Sequence, residues 1–158
     1  MATMITPSHV ISESARIPAS ADHLYSIIAD YRNGHPRILP KQFSGLIVDE
    51  GGVGAGTVIR FEMRSFGRMQ KFHGVVSEPQ PGRILAETYL DGTVTTFTLT
   101  PGASEVDTEV AIKTEMPARR GLAGALEGYF AARYLRPIFV EELKLLAAVA
   151  LDHEKPGR

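Results

Sequence analysis

The sequence has no cysteine and no tryptophan, only one excess negative charge, and no apolar run long enough to cross a bilayer. Each absence excludes something. Without cysteine there is no disulfide, no thiolate nucleophile and no thiolate-held metal, and the composition is compatible with a reducing compartment. A net charge of −1 gives no global attraction to nucleic acid or to an anionic membrane. The basic group Arg60, Arg64, Arg68 and Lys71 is read as a solvated sheet face. The longest clearly apolar run, LLAAVAL at 145–151, is far too short for a membrane span. The N-terminal MATMITPSHV lacks a basic segment followed by a long apolar one, so no secretory leader is expected. A soluble, cytoplasmic protein is the default expectation, with no nucleic-acid partner and no membrane span.

Signatures of cofactor chemistry are missing as well. The loop EGGVGAGTVIRF at 50–61 carries Gly51, Gly52, Gly54 and Gly56, yet no lysine follows its last glycine and the next segment alternates like a strand. A phosphate loop needs that lysine and must open a helix. The dinucleotide spacing G-x-G-x-x-G fails too. The loop is expected to be a turn between antiparallel strands, its glycines allowing positive φ and close packing at a cavity rim. His9, His23, His35, His73 and His153 are scattered, with no pair spaced for ligation, so no metal is expected. No G-x-S-x-G elbow is present. Glu105, Asp107 and Glu109 read as a solvated outer row, opposite an inner row of Val106, Thr108, Val110 and Ile112.

What is present is an ordinary globular composition, 44% hydrophobic and 22% charged over 158 residues. That predicts a single domain, 1–158 with its core at about 9–151, large enough to enclose a cavity. Residues 10–18 alternate and end at a proline, as a first strand does. Ser20 is placed to cap a helix carrying Leu24, Ile27 and Ile28, with Tyr31 a turn further on. Asn33-Gly34 stops it, and His35-Pro36 begins a short helix or turn. From residue 43 the period becomes two. Strands are predicted at 43–49, 57–65, 69–78, 83–90, 93–100 and 106–116, with connections too short for anything but antiparallel neighbours. A helix is predicted from about 120 to 151. It bears one apolar stripe of Leu122, Leu126, Tyr129 and Phe130. Beyond Pro137 comes a second, of Leu135, Ile138, Phe139, Leu143, Leu146 and Ala150. Either the proline re-aims the helix along a curved sheet, which is preferred, or the second stripe meets another subunit. Monomer and homodimer both remain open.

At this point the chain resembles a known family. The order strand, two short helices, strands and long helix is similar to the START-like, or SRPBCC, helix-grip superfamily. That superfamily includes pollen-allergen type proteins, lipid-transfer START domains and polyketide cyclases/dehydrases. The resemblance is carried by IPASADHLYSIIADYRNGHPRILP (17–40), EGGVGAGTVIRF (50–61), VVSEPQPGRIL (75–85) and FTLTPGASEVDTEVAIKTEMP (97–117). It implies an α+β helix-grip fold, a curved antiparallel sheet of about seven strands wrapped round the C-terminal helix. It also implies a pocket between the two, and a polyketide cyclase/dehydrase-like branch. It carries no catalytic motif with it.

Alternation then names a candidate lining. Ile59, Phe61 and Met63 share a face; so do Phe72 and Val76, and Phe97 and Leu99. With Val110, Ile112 and the helix residues Leu126, Tyr129 and Phe130 they make the expected ligand-binding wall. Tyr25, His35, Glu87, Tyr89, Tyr129 and Arg133 are the polar groups within reach. Glu87, His35 and Arg133 are the catalytic candidates. Arg133 stands one helical turn from Tyr129, and either pairs with a ligand carboxylate or phenolate or snorkels to solvent. His73 is expected to point outward. The leading expectation is the binding of a hydrophobic or amphipathic small molecule, such as a lipid, polyketide or aromatic metabolite. Two alternatives stand beside it: a polyketide cyclase/dehydrase-type enzyme using the same cavity, and a protein-interaction module of the chaperone-activator type.

Overall fold

The computed structural model describes residues 7–152, so His153 lies outside the described residues. Strand β1 (Ser8–Ile17) is followed by helix α1 (Ala21–Ala29) and a short helical turn at His35–Arg37. Six strands come next: β2 (Phe43–Glu50), β3 (Val58–Ser65), β4 (Arg68–Gln80), β5 (Ile84–Tyr89), β6 (Val94–Pro101) and β7 (Thr108–Pro117). Helix α2 (Gly121–Asp152) ends the chain's described part. All seven predicted strands are present, their ends within two residues of expectation. They form one antiparallel curved sheet in the order β1-β7-β6-β5-β4-β3-β2.

The local causes are legible. Ser20 Oγ accepts the His23 backbone N–H at 3.2 Å and starts α1, whose Leu24, Ile27 and Ile28 are buried. The β5–β6 turn is held by Asp91, whose carboxylate accepts the Thr93 N–H at 2.9 Å, and by Gly92 at φ 88°. At the β3–β4 turn Phe66 and Gly67 both have positive φ, matching the twist of the flanking strands.

The glycine loop does something other than edge the cavity. Gly54 N–H donates to Ala29 O at 3.0 Å, and the Gly52 carbonyl accepts Tyr31 N–H at 2.8 Å. Ala55 N–H reaches Glu78 Oε1 on β4 at 2.6 Å. The loop therefore joins the end of α1 to the sheet. Its positive φ values are real, but it is absent from the cavity lining.

Helix α2 runs unbroken through Pro137. Leu135, Ile138, Phe139, Leu143, Leu146 and Ala150 are all buried against the sheet and α1, which leaves no need for a second subunit to cover them. The first stripe is the reverse of expectation. Leu122, Leu126, Tyr129 and Phe130 are each more than half exposed. Two physical facts account for this. A 32-residue helix is about 48 Å long, whereas the ten-residue strands β1 and β7 span about 33 Å, so one end overhangs. There the face turned to the sheet is made of small residues: a Cβ on Gly128 would come within 2.5 Å of the His9 ring. The outer row has a smaller correction. Val106 is exposed in the loop before β7 rather than inward, and Asp107 pairs with Arg16 at 2.8 Å.

Candidate functional site

Alternation on β3 sends Ile59, Phe61 and Met63 to the concave face of the sheet, while Arg60 on the other face binds Asp49 at 2.6 Å. Phe72 on β4, Glu87 and Tyr89 on β5, and Phe97 on β6 share that concave face. Opposite them stand Leu135, Phe139 and Glu142 of α2, with His35 closing the inner end. Between these groups lies a cavity of about 190 Å³. Gln70 and Asp91, both exposed, mark its opening to solvent.

Of the residues named from sequence, His35, Ile59, Phe61, Met63, Phe72, Glu87, Tyr89 and Phe97 face this space. The others do not. Leu99, Val110 and Ile112 are fully buried in the core outside the lining. Tyr25 donates its hydroxyl to Glu78 at 2.7 Å, away from the cavity. Leu126, Tyr129, Phe130 and Arg133 sit on the overhanging, exposed part of α2, which removes Arg133 from the catalytic candidates. The burial of small residues there, rather than large ones, defeats the periodicity argument.

The inner end of the cavity is polar and tightly connected. Glu87 accepts the Tyr31 hydroxyl on Oε1 at 2.5 Å and the Tyr89 hydroxyl on Oε2. His35 stacks on Tyr31, ring centroids 4.4 Å apart, and meets Phe97 edge-on at 5.8 Å. Its Nδ1 lies 2.8 Å from the Ile28 carbonyl, which only accepts, so the proton is on Nδ1. Its Nε2 is therefore the atom turned to Glu87 Oε1, at 3.7 Å. Burial first, then the neighbouring Glu87 charge, raises the Tyr31 and Tyr89 hydroxyls well above the ordinary tyrosine range. Both therefore stay protonated and serve as donors.

Glu142 is the group that the sequence reading missed. Only 4% of it is exposed, and burial followed by the Glu87 charge raises its carboxyl well above the usual carboxylate range. Tyr31, buried behind Glu87, was missed as well. Glu142 did leave a signal. It falls three residues after Phe139 and seven after Leu135, so a carboxyl interrupts the apolar stripe that meets the sheet. The site thus sets a carboxyl whose neutral form is favoured near a second carboxyl held by two phenols, at one end of an apolar space. That combination can orient a ligand and can hold a proton at a chosen atom. Among the described residues no three His, Asp or Glu side chains converge as a metal site, and no helix is long and apolar enough to cross a membrane.

A curved seven-stranded antiparallel sheet closed by a long helix, with the cavity between, defines a START-like, helix-grip domain. The chain belongs to the family described as polyketide cyclase / dehydrase and lipid transport, which it matches over residues 8–151. Among solved structures it is similar to the KanY protein, with 28% identity and a TM-score of 0.78 over 93% of this chain and 99% of that one. A START superfamily protein from Mycobacterium smegmatis aligns at 16% identity and TM-score 0.71, covering 91% and 98% of the two chains. The Zhui aromatase/cyclase from Streptomyces sp. R1128 aligns at 14% identity and TM-score 0.72, covering 91% and 94%. The last two likenesses concern the fold alone. No curated protein sequence matches the chain.

Proposed function

We propose that this protein binds a compact hydrophobic small molecule in the cavity between the sheet and α2, in a cytoplasmic setting. The observation that carries this reading is a mostly apolar space between sheet and helix, open to solvent at Gln70 and Asp91, with His35, Glu87, Tyr89 and Glu142 at its inner end. Apolar burial supplies the affinity and the polar end sets the orientation. Size narrows the class. At about 190 Å³ the cavity exceeds the roughly 150 Å³ that accommodates benzene, yet falls short of the roughly 300 Å³ where drug-sized pockets begin. A single ring with short substituents fits better than a long acyl chain or a multi-ring polyketide. Native mass spectrometry of gently purified protein tests the reading. A co-purifying molecule of small, defined mass is expected. A pocket that stays empty and fails to respond to a panel of ring compounds would sink it.

The enzyme reading is favoured by one feature, the Glu87–Glu142 pair with its tyrosine and histidine neighbours. A buried carboxyl whose neutral form is favoured, set near a second carboxyl that two phenols hydrogen-bond, suits general acid-base steps such as enolisation and dehydration. If turnover is found, Glu87→Gln should remove it while leaving the fold intact. Arg133→Leu should change nothing. The interaction-module reading lacks both features it needs, since the stripe after Pro137 is buried and the core is hollow.

A further inference from the structure

The titratable side chains around the cavity are mostly acidic. Among the described residues that line it, Glu87 and Glu142 stand at the inner end and Asp91 at the mouth, with no lysine or arginine and a single histidine, His35. Among the described residues the partners of the Glu87 carboxyl are two tyrosine hydroxyls and, at 3.7 Å, His35 Nε2, and no guanidinium or ammonium pairs with it. Glu142 adds a second and independent observation. It is 96% buried and borders the cavity, and its oxygens are not among the fully enclosed side-chain atoms that lack a partner, which among the described residues means His9 Nε2 alone. A carboxyl that is largely buried yet borders the cavity is open to a partner arriving in that space.

The sign of the charge decides what that partner is. A carboxylate or phosphate ligand would meet acidic groups in a low dielectric, with no lysine or arginine among the described lining residues to hold it. An ammonium would find two carboxyls, and the rings of Phe61, Phe72 and Phe97 beside them. We propose that the cavity takes a compact aromatic amine, its protonated nitrogen at Glu142 and Glu87 and its ring among the three phenylalanines, and that it turns anionic ligands away. The titratable groups facing that nitrogen are Glu87, Glu142, Tyr89 and His35, with Asp91 at the entrance. This rests on the reading of the cavity as a small-molecule site.

Three ligands of similar apolar body and different head separate the possibilities: phenylethylamine, phenylethanol and phenylacetate, titrated calorimetrically at neutral pH. The amine is expected to bind about 10-fold tighter than the alcohol, with no measurable binding of the acid. Glu142→Gln should lower the amine's affinity about 10-fold and leave the alcohol's within about twofold. The proposal is overturned if the acid binds as tightly as the amine, or if amine and alcohol bind alike to the unmodified protein. Should the alcohol bind and the amine not, amine recognition falls while the cavity reading stands. Should none of the three bind, nor any of a wider ring panel, the cavity reading falls with it. The comparison on the unmodified protein decides the matter even if the variant does not fold.

Discussion

Glu142 combines a stability cost with a functional opportunity, because its carboxyl is buried next to another carboxyl. Folding raises its pKa above the ordinary value of 4.5, so its neutral form is the one that the fold favours. The sign follows from proton linkage. Its contribution to stability is fully present below about 4.5 and is lost as pH rises towards the folded value, because the unfolded chain releases the proton first. Glutamine does not titrate. The stability of Glu142→Gln relative to the unmodified protein should therefore be greater at pH ~8 than at pH ~5. Thermal unfolding at the two pH values checks this, and an unchanged difference would contradict it. Tyr31 gives a second expectation. Tyr31→Phe removes a buried donor from Glu87 Oε1 and leaves that buried oxygen short of a partner, at a cost of about 1–3 kcal/mol in denaturant unfolding.

At the scale of elements, α2 divides into a half that carries the core and a half that does not. Leu146 is 2% exposed, and Leu146→Ala should cost about 2–5 kcal/mol. Phe130→Ala on the overhang, where the side chain is 51% exposed, should stay within about 0.5 kcal/mol. Urea unfolding of the two variants side by side tests the division. The glycine loop is the other element whose role changed. At Gly54 the backbone has φ 65°, and a Cβ would stand 2.2 Å from Glu78 Oε1, the atom that holds Ala55 N–H. Gly54→Ala should therefore destabilise by more than the ~1 kcal/mol of a left-handed residue alone, with the end of α1 loosening first in hydrogen exchange. Strand boundaries and Ser20 as a cap were legible in sequence, because turn chemistry and alternation act over a few residues. The direction of the first α2 stripe was not. There the small face of Gly128 approaches β1, and periodicity cannot tell a face chosen for closeness from one chosen for greasiness.

For the molecule as a whole, a ligand that occupies the cavity and has no affinity for the unfolded chain must stabilise it. At a free concentration about 100 times its dissociation constant the gain is about 2.7 kcal/mol, visible as a raised Tm. A ring-sized ligand should produce that shift and a long-chain fatty acid should not, on grounds of both volume and charge. The family and fold were legible because the sequence alone determines the order of elements, the alternation of the strands and the apolar stripe beyond Pro137. Alternation also placed Ile59, Phe61, Met63, Phe72, Glu87, Tyr89 and Phe97 on one face, since the pleat fixes sidedness residue by residue. It could not say where along that face the core ends and the cavity begins. Phe97 and Leu99 share a face, yet only Phe97 borders the space. That division, the bridging of Glu87 by Tyr31 and Tyr89, and the arrival of Glu142 from a helix over fifty residues away were decided by the tertiary structure. The reason is physical: local forces fix periods and turns, while the distance between two surfaces depends on how the sheet curves and where the helix lies across it.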